Sequence, residues 1–328
     1  QQSTAALLRG GAGEAAGEEA KLIGRRSPKG VPHKAIAYCL KKAGATPDDV
    51  KTVALDLHPF RLPGREPSPR GKKAPVAPLA SLFQNLASIK RAHPELRDLR
   101  ILRESFSEAE FVSVHHHYAL AAFAYYPSSF ERALVLTLDS GSATQASAVA
   151  LAEGDRIQPL AAARFPHSVG LLFSEVTELL GWDPDEDVHR TIWLSTTGEP
   201  EFAEVFRHIF APMRRGLLRL NVDCFSTGVS GRVRFSEKFL ESIGLEGSAR
   251  QAAQMPESWR ANLAASLQAE AEAAVVELAE FWRRRRRVAT LCFGGGVAFN
   301  ALLADALATR AGFRDGFIPP AAGNAGCA

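Results

Sequence analysis

Near its C-terminal end the chain runs without a break from a long amphipathic helix into an apolar strand and then into three glycines. Within Asn262 to Arg287, residues Leu263, Leu267, Ala271, Ala274, Leu278 and Phe281 recur at helical spacing, which predicts one apolar stripe facing a core. Val288 to Phe293 follows as a strand, and Gly294, Gly295 and Gly296 separate it from a helix predicted to begin near Asn300. A helix that must bury one stripe and a strand that is apolar on both faces are satisfied together by a layered α/β fold.

The rest of the sequence agrees with that class. Pro32 to Leu40, continued by Lys41 to Gly44, predicts a helix with a glycine stop, and Thr52 to Leu57 predicts a strand. From His58 to Pro78 the chain carries six prolines and the basic patch Arg70–Lys73, which predicts an exposed loop. A helix over Leu79 to His93 and a strand over Ser107 to Val114 lead to three consecutive histidines. Ala133 to Leu138 is a buried-type strand, and Ala146 to Leu151 its returning partner in a hairpin. The expected division is a first lobe over 1–132, including the proline-rich loop 58–78, and a second lobe over 133–328.

At 328 residues and 46% hydrophobic, the chain can bury a full core. A net charge of +3 gives no electrostatic argument for nucleic acid or an anionic membrane as partner. Arg283 to Arg287 reads first as the solvated end of a long helix, where cations complement the dipole, and second as a polyanion site. Cys39, Cys224, Cys292 and Cys327 lack C-x-x-C spacing, which argues against a structural zinc site and a secreted disulfide framework. No apolar run reaches the ~20 residues that span a bilayer, and QQSTAALLRGG lacks the pattern of a signal peptide. The expectation is a cytoplasmic setting.

Glycine-rich turns after strands bring backbone N–H groups close to phosphates. Gly294–Gly296 and Gly323-Asn324-Ala325-Gly326 are two candidates; each is equally readable as a tight structural turn. His115, His116 and His117 are poorly arranged as a metal site, because helical neighbours face different ways and a ligand pair needs i, i+4 spacing.

Several motifs occur in an order and spacing that resemble the O-carbamoyltransferase family, which includes nodulation and antibiotic-tailoring enzymes. The likeness is to its N-terminal, actin/hexokinase-like domain, and it covers nearly the whole chain from Ser3 to Ala328. Arg164 to Thr177 (RFPHSVGLLFSEVT) carries the family's FPHS as Phe165 to Ser168. Gly295 to Asn300 matches its GGVALN-like turn, and Pro320 to Ala328 its PAAGDAGCA-like turn. Asp187 to Pro200 aligns with its DEYKVMGLAPYGEP-like stretch. The resemblance implies an α/β, two-lobed actin/hexokinase-like ATPase fold. An active member would use ATP, a divalent metal and carbamoyl phosphate to form a carbamoyl-adenylate, then carbamoylate a hydroxyl.

The same alignment implies a degenerate site. The family's two metal histidines and later aspartate stand here as His116, Leu120 and Asn324, and neither leucine nor a neutral amide replaces the missing ligands. Its DGxGE-like loop is Asp139-Ser140-Gly141-Ser142-Ala143, where added Cβ atoms obstruct approach to a phosphate. His167 and Gly170 are retained, with His167 also readable as a histidine bonded to the backbone. The family's lysine is Arg190, its glycine is Trp193, and Ser195, Thr196 and Thr197 replace Ala-Pro-Tyr.

The implied vestigial cleft is therefore His116, Leu120, Asp139, His167, Gly170, Arg190, Trp193, Gly295, Gly296, Asn300 and Asn324. No confident catalytic residue, metal or cofactor follows. Trp193 and Phe173 are expected to line a filled or reshaped pocket suited to an apolar or aromatic ligand, a peptide among them. The favoured expectation is a carbamoyltransferase-like domain without catalysis, a pseudoenzyme acting as a binding or accessory protein in natural-product biosynthesis. Its partner would be a biosynthetic peptide, a small-molecule intermediate or a partner enzyme, and neither nucleic acid nor a membrane. The alternative is an active ATP-dependent O-carbamoyltransferase completed by a partner chain. The family's separate C-terminal domain has no counterpart in these 328 residues.

Overall fold

The computed structural model describes residues 3–26, 28, 30–56, 97–140, 145–227, 233–245 and 249–327. The chain is mixed α/β and divides into two units, one of residues 1–119 with 324–328, the other of residues 120–323. The division falls thirteen residues before the expected 132/133 boundary, inside a helix rather than in a linker, and the last five residues group with the first unit. Histidine-rich and alanine-rich turns of one helix carry no compositional break there, so the boundary leaves no signal in the sequence. The proline-rich loop 58–78 and the helix expected over 79–93 lie outside the described residues.

In the first unit, strands β1 (Thr4–Arg9) and β2 (Ala12–Glu18) form an antiparallel hairpin that turns at Gly10 and Gly11, φ 58° and 84°. Helices α1 (Glu19–Ile23) and α2 (His33–Ala43) follow. Pro32 precedes α2 and offers no capping side chain. The buried carboxylate of Glu19 serves instead, accepting from the backbone N–H groups of Lys34 (3.2 Å) and Ala35 (2.8 Å). Gly44, at φ 60°, stops α2 as its sequence predicts. Strand β3 (Thr52–Leu55) pairs in parallel with β4 (Glu110–Ser113), with a helix α3 at 97–105 between them. Helix α4 (His116–Tyr125) begins directly after.

The second unit is built on β5 (Arg132–Leu138), β6 (Gln145–Glu153) and β7 (Arg156–Arg164), a three-strand antiparallel meander. Helices α5 (Val169–Leu179), α6 (Val188–Leu194) and α7 (Ala203–Ile209) come next. The short pairs β8 (Phe210–Arg214) with β9 (Leu217–Leu220), and β10 (Phe225–Thr227) with β11 (Val233–Phe235), precede α8 (Glu237–Ser242). The long helix α9 (Glu257–Arg286) leads to β12 (Thr290–Gly294), α10 (Ala301–Arg310) and β13 (Asp315–Phe317). In space the sheet runs β13-β12-β5-β6-β7, with β12 parallel to both β5 and β13.

Helix α9 departs from the single-stripe expectation. Ala274 and Phe281 are only partly buried, while Ala261, Ala264, Val275, Val276 and Trp282 join Leu263, Leu267, Ala271 and Leu278 inside. Small residues let neighbours approach on more than one side: α6, α7, α10 and β5 all pack against this helix. At its end Arg283 to Arg286 form the last turn, and Arg132 donates to the carbonyls of Arg286 (3.0 Å) and Arg287 (3.1 Å). The arginine run thus ends a helix, and its terminal carbonyls are met by a cation from β5.

Candidate functional site

Two separate groups of residues carry the positions singled out by the sequence. In the second unit, three segments converge: the end of β5, the start of α5 and the glycine turn after β12. Asp139 is 4% exposed; its carboxylate accepts from the Ser140 N–H (2.8 Å) and its carbonyl accepts from the Ser168 hydroxyl (2.8 Å). Ser168 also accepts from Leu171 N–H and so caps α5. A Cβ at Gly170 would lie 2.8 Å from the Ser140 backbone, which explains the glycine that follows the FPHS motif. Ser142 and Ala143 lie outside the described residues.

The glycine turn is closed rather than open. A Cβ at Gly295, φ 91°, would sit 2.1 Å from the Leu138 carbonyl oxygen, and one at Gly296 would meet the Asp139 carboxylate at 3.1 Å. Gly295 N–H donates to Ala322 O (2.7 Å), Ala298 N–H to Gly295 O, and Asn300 N–H to Val297 O. Asn300 is 2% exposed; it caps α10 through Leu303 N–H and bonds to Gln268 of α9. Packing of backbone on backbone therefore accounts for Gly295, and helix capping accounts for Asn300.

His167 is half-buried, and its Nδ1 accepts from Leu220 N–H at 3.1 Å. Burial, reinforced by the nearby Arg219 cation, lowers its pKa below the usual 6.5. The ring is held neutral, Nδ1 as acceptor.

Two expectations for this unit need correction. Trp193 fills no pocket among the described residues: it is 76% exposed. Thr191 and Ser195 face inward from α6 and its continuation, and Thr191 bonds Thr177 of α5 at 2.7 Å, so a residue two positions along from Thr191 turns outward. Phe173 is 2% exposed and belongs to the main core, not to a pocket wall. Arg190 lies on the surface near Asp187 (3.9 Å) with its guanidinium over the Trp182 ring.

In the first unit the structure assembles a group that sequence spacing did not reveal. His116, 5% exposed, opens α4; its Nδ1 lies 2.5 Å from an Asp56 carboxylate oxygen and 3.7 Å from Cys327 Sγ. Asp56 directly follows β3, and Cys327 ends a single helical turn, Asn324–Cys327. The ligand atoms of the three residues all lie within 4.8 Å of one another. His117, also buried, packs edge-on against the His116 ring at 5.5 Å between centroids. Asn324 shares the Cys327 turn, and its buried Oδ1 finds no hydrogen-bond partner among the described residues.

The expectation of no metal centre rested on local spacing and on the aligned Leu120 and Asn324, neither of which registers residues 60 and 211 positions from His116. One signal was available. An aspartate at the carboxyl end of a parallel strand is where α/β folds place ligand-binding groups. By contrast, the ligand set implied by the family resemblance does not fit a cation: Leu120 is hydrocarbon, 1% exposed, and Asn324 carries no charge.

Among the described residues no helix is long and apolar enough to cross a membrane. An uncharacterized protein of Synechocystis, sll1178, is 28% identical over 336 residues, covering 99% of this chain and 53% of its own length. Nodulation protein NolNO of Sinorhizobium fredii is 26% identical over 335 residues, covering 99% of this chain and 44% of its own. Nodulation protein NolO of Bradyrhizobium diazoefficiens is 28% identical over 216 residues, 66% of this chain and 37% of its own. The chain thus spans about half the length of the first of these relatives, and less of the others. The family described as carbamoyltransferase N-terminus matches residues 2–328, and the chain belongs to that family.

Proposed function

We propose that this chain is a binding or accessory member of the carbamoyltransferase N-terminus family that does not run adenylating chemistry, on a two-lobed actin/hexokinase-like scaffold. The observation that carries the reading is Leu120. Where the family resemblance calls for a second imidazole, this chain has a hydrocarbon side chain buried to 1% exposure. Removing a preorganised group from an active site costs about 10²–10³ in rate, and here the glycine turn adds to the loss. Gly295 spends its N–H on Ala322 and so has none to offer a phosphate.

The scaffold assignment draws on strand order. A three-strand meander (β5, β6, β7) is followed by two parallel strands on the other side of β5, a layered α/β order that supports the reading. The setting in natural-product biosynthesis rests on the family's habits. Its ligand is then a biosynthetic peptide or small-molecule intermediate, or a partner enzyme.

The test is to incubate the purified chain with ATP, carbamoyl phosphate and a divalent cation and to follow AMP and pyrophosphate. No release above the uncatalysed rate is expected. Release that scales with protein concentration would favour an active ATP-dependent O-carbamoyltransferase and overturn the proposal.

A further inference from the structure

We infer that the arginine-rich end of α9 is a docking surface for an acidic segment of a partner protein, one that interleaves carboxylates with apolar side chains. The inference deepens the accessory reading above and rests on it for the partner being a protein. Four arginines converge there: Arg283, Arg284 and Arg287 from the end of the helix, and Arg314 from the loop before β13. They line a cleft of about 570 Å³ whose walls include Val288 and Phe313, and no carboxylate lines it among the described residues. Val288 stands just before β12 and Gly295 just after it; that five-residue strand rises roughly 16 Å, so the cleft lies apart from the glycine turn.

The helix dipole explains cations in a last turn, but three features here exceed it. Arg283 is fixed. Its Nε donates to the Ala311 carbonyl at 2.8 Å, and a Cβ at Gly312 would meet its guanidinium at 3.0 Å, so the glycine leaves it room. Arg287 closes α9 in the left-handed conformation, φ 50°, a position that usually falls to glycine. Keeping a side chain there costs backbone energy, and the residue stands four positions from Arg283, a spacing at which like charges repel. Arg314 then adds a third cation from another element. Among the described residues, none of these three has a carboxylate within ion-pair reach, whereas Arg284 meets Glu280 at 2.9 Å. A cluster so uncompensated is stabilised when a partner brings anions to it.

The chemistry of the occupant follows from what surrounds the charges. Arginine's planar fork suits carboxylate and phosphate alike. A second hollow adjoins the first across Arg284, lined by Met213, Phe281 and Arg285 together with Glu277 and Glu280. Acids and apolar surface between the cations disfavour a uniformly anionic nucleic-acid backbone. They match a peptide whose carboxylates reach Arg283, Arg287 and Arg314 while its apolar groups cover Phe313 and Phe281.

The experiment titrates the chain against a fluorescein-labelled peptide of repeated Glu-Glu-Phe, read by anisotropy. Saturable binding that weakens as salt rises is expected, with none for the Gln-Gln-Phe counterpart. Arg287→Gly and Arg314→Gln should each weaken binding about 5-fold, the upper end for an exposed ion pair. Lys41→Gln, in the first unit, should change nothing. Arg287→Gly also separates binding from folding: glycine relieves the left-handed backbone, so the urea midpoint should hold or rise while affinity falls. A purely helix-ending role for Arg287 would instead leave affinity unchanged. Absence of saturable binding, parental affinity in either arginine variant, an equal loss in Lys41→Gln, or tighter binding of a single-stranded oligonucleotide of equal charge would overturn the surface. AMP release in the assay above would overturn the accessory reading without touching this titration, which contains neither ATP nor carbamoyl phosphate, so the two failures are read separately.

Discussion

Gln268 and Asn300 face each other inside the second unit, 32 residues apart in sequence, and satisfy each other's amides. Asn300 Nδ2 donates to Gln268 Oε1 at 2.8 Å, and Gln268 Nε2 donates to Asn300 Oδ1 at 3.3 Å and to Glu272 Oε1 at 2.9 Å. Asn300 Oδ1 also caps α10. The pair thus ties the long helix α9 to the turn after β12. Asn300→Ala removes a cap worth about 1 kcal/mol and strands a buried amide at a cost of about 1–3 kcal/mol. A loss of roughly 3 kcal/mol is expected by urea denaturation. A double-mutant cycle with Gln268→Ala should show coupling; additive losses would mean the two amides act separately.

Glycines in this chain differ sharply in what they tolerate. Gly44 has positive φ but open space where an added methyl would point, whereas Gly295 has positive φ and a carbonyl oxygen 2.1 Å from the position that methyl would take. Gly44→Ala should therefore cost only the left-handed backbone term of about 1–2 kcal/mol. Gly295→Ala adds overpacking of about 1–3 kcal/mol and should lower the thermal midpoint clearly more. Equal midpoints for the two variants would contradict the packing described around the β12 turn.

Periodic features were legible in the sequence: α2 with its glycine stop, the β5–β6 hairpin, α9 and the strand leading to Gly294 all lie within a few residues of expectation. The hairpin β1–β2 gave no such signal, since AGEAAGE has neither β-branched nor aromatic residues to mark a strand. Its existence depends on tertiary partners, as does the start of α2, which the Glu19 carboxylate caps from outside the helix. The candidate site divides the same way. Motif positions such as Asp139 and Asn300 could be found locally, but Asp56 and Cys327 reach His116 only through the fold. Trp193 misled because residue size was legible and direction was not.

His167 links stability to pH. Its folded pKa lies below the usual 6.5 because burial and Arg219 disfavour the cation, and its Nδ1 must stay unprotonated to accept from Leu220 N–H. The unfolded chain then binds the proton first as pH falls, so this contribution to stability is complete above about pH 6.5 and declines on acidification toward the lower folded value. His167→Asn keeps an acceptor without a titrating group. The variant's urea midpoint should fall less than that of the parent between pH 7 and pH 5, and parallel curves would remove His167 from the acid response.

The four thiols should separate by reactivity in the folded chain. Cys39, Cys224 and Cys292 are buried, and burial raises all three thiol pKa values, that of Cys292 to about 11. A thiol of that pKa is only about 0.1% thiolate at pH 8, and the thiolate is the nucleophile. Cys327 is only partly buried. Brief iodoacetamide treatment at pH 8 should therefore label Cys327 first and Cys292 last, while urea should make all four react together. Early labelling of Cys292 would mean that the β5–β12 layer opens on the time scale of the reaction, because that thiol lies at 0% exposure in the strand between β5 and β13.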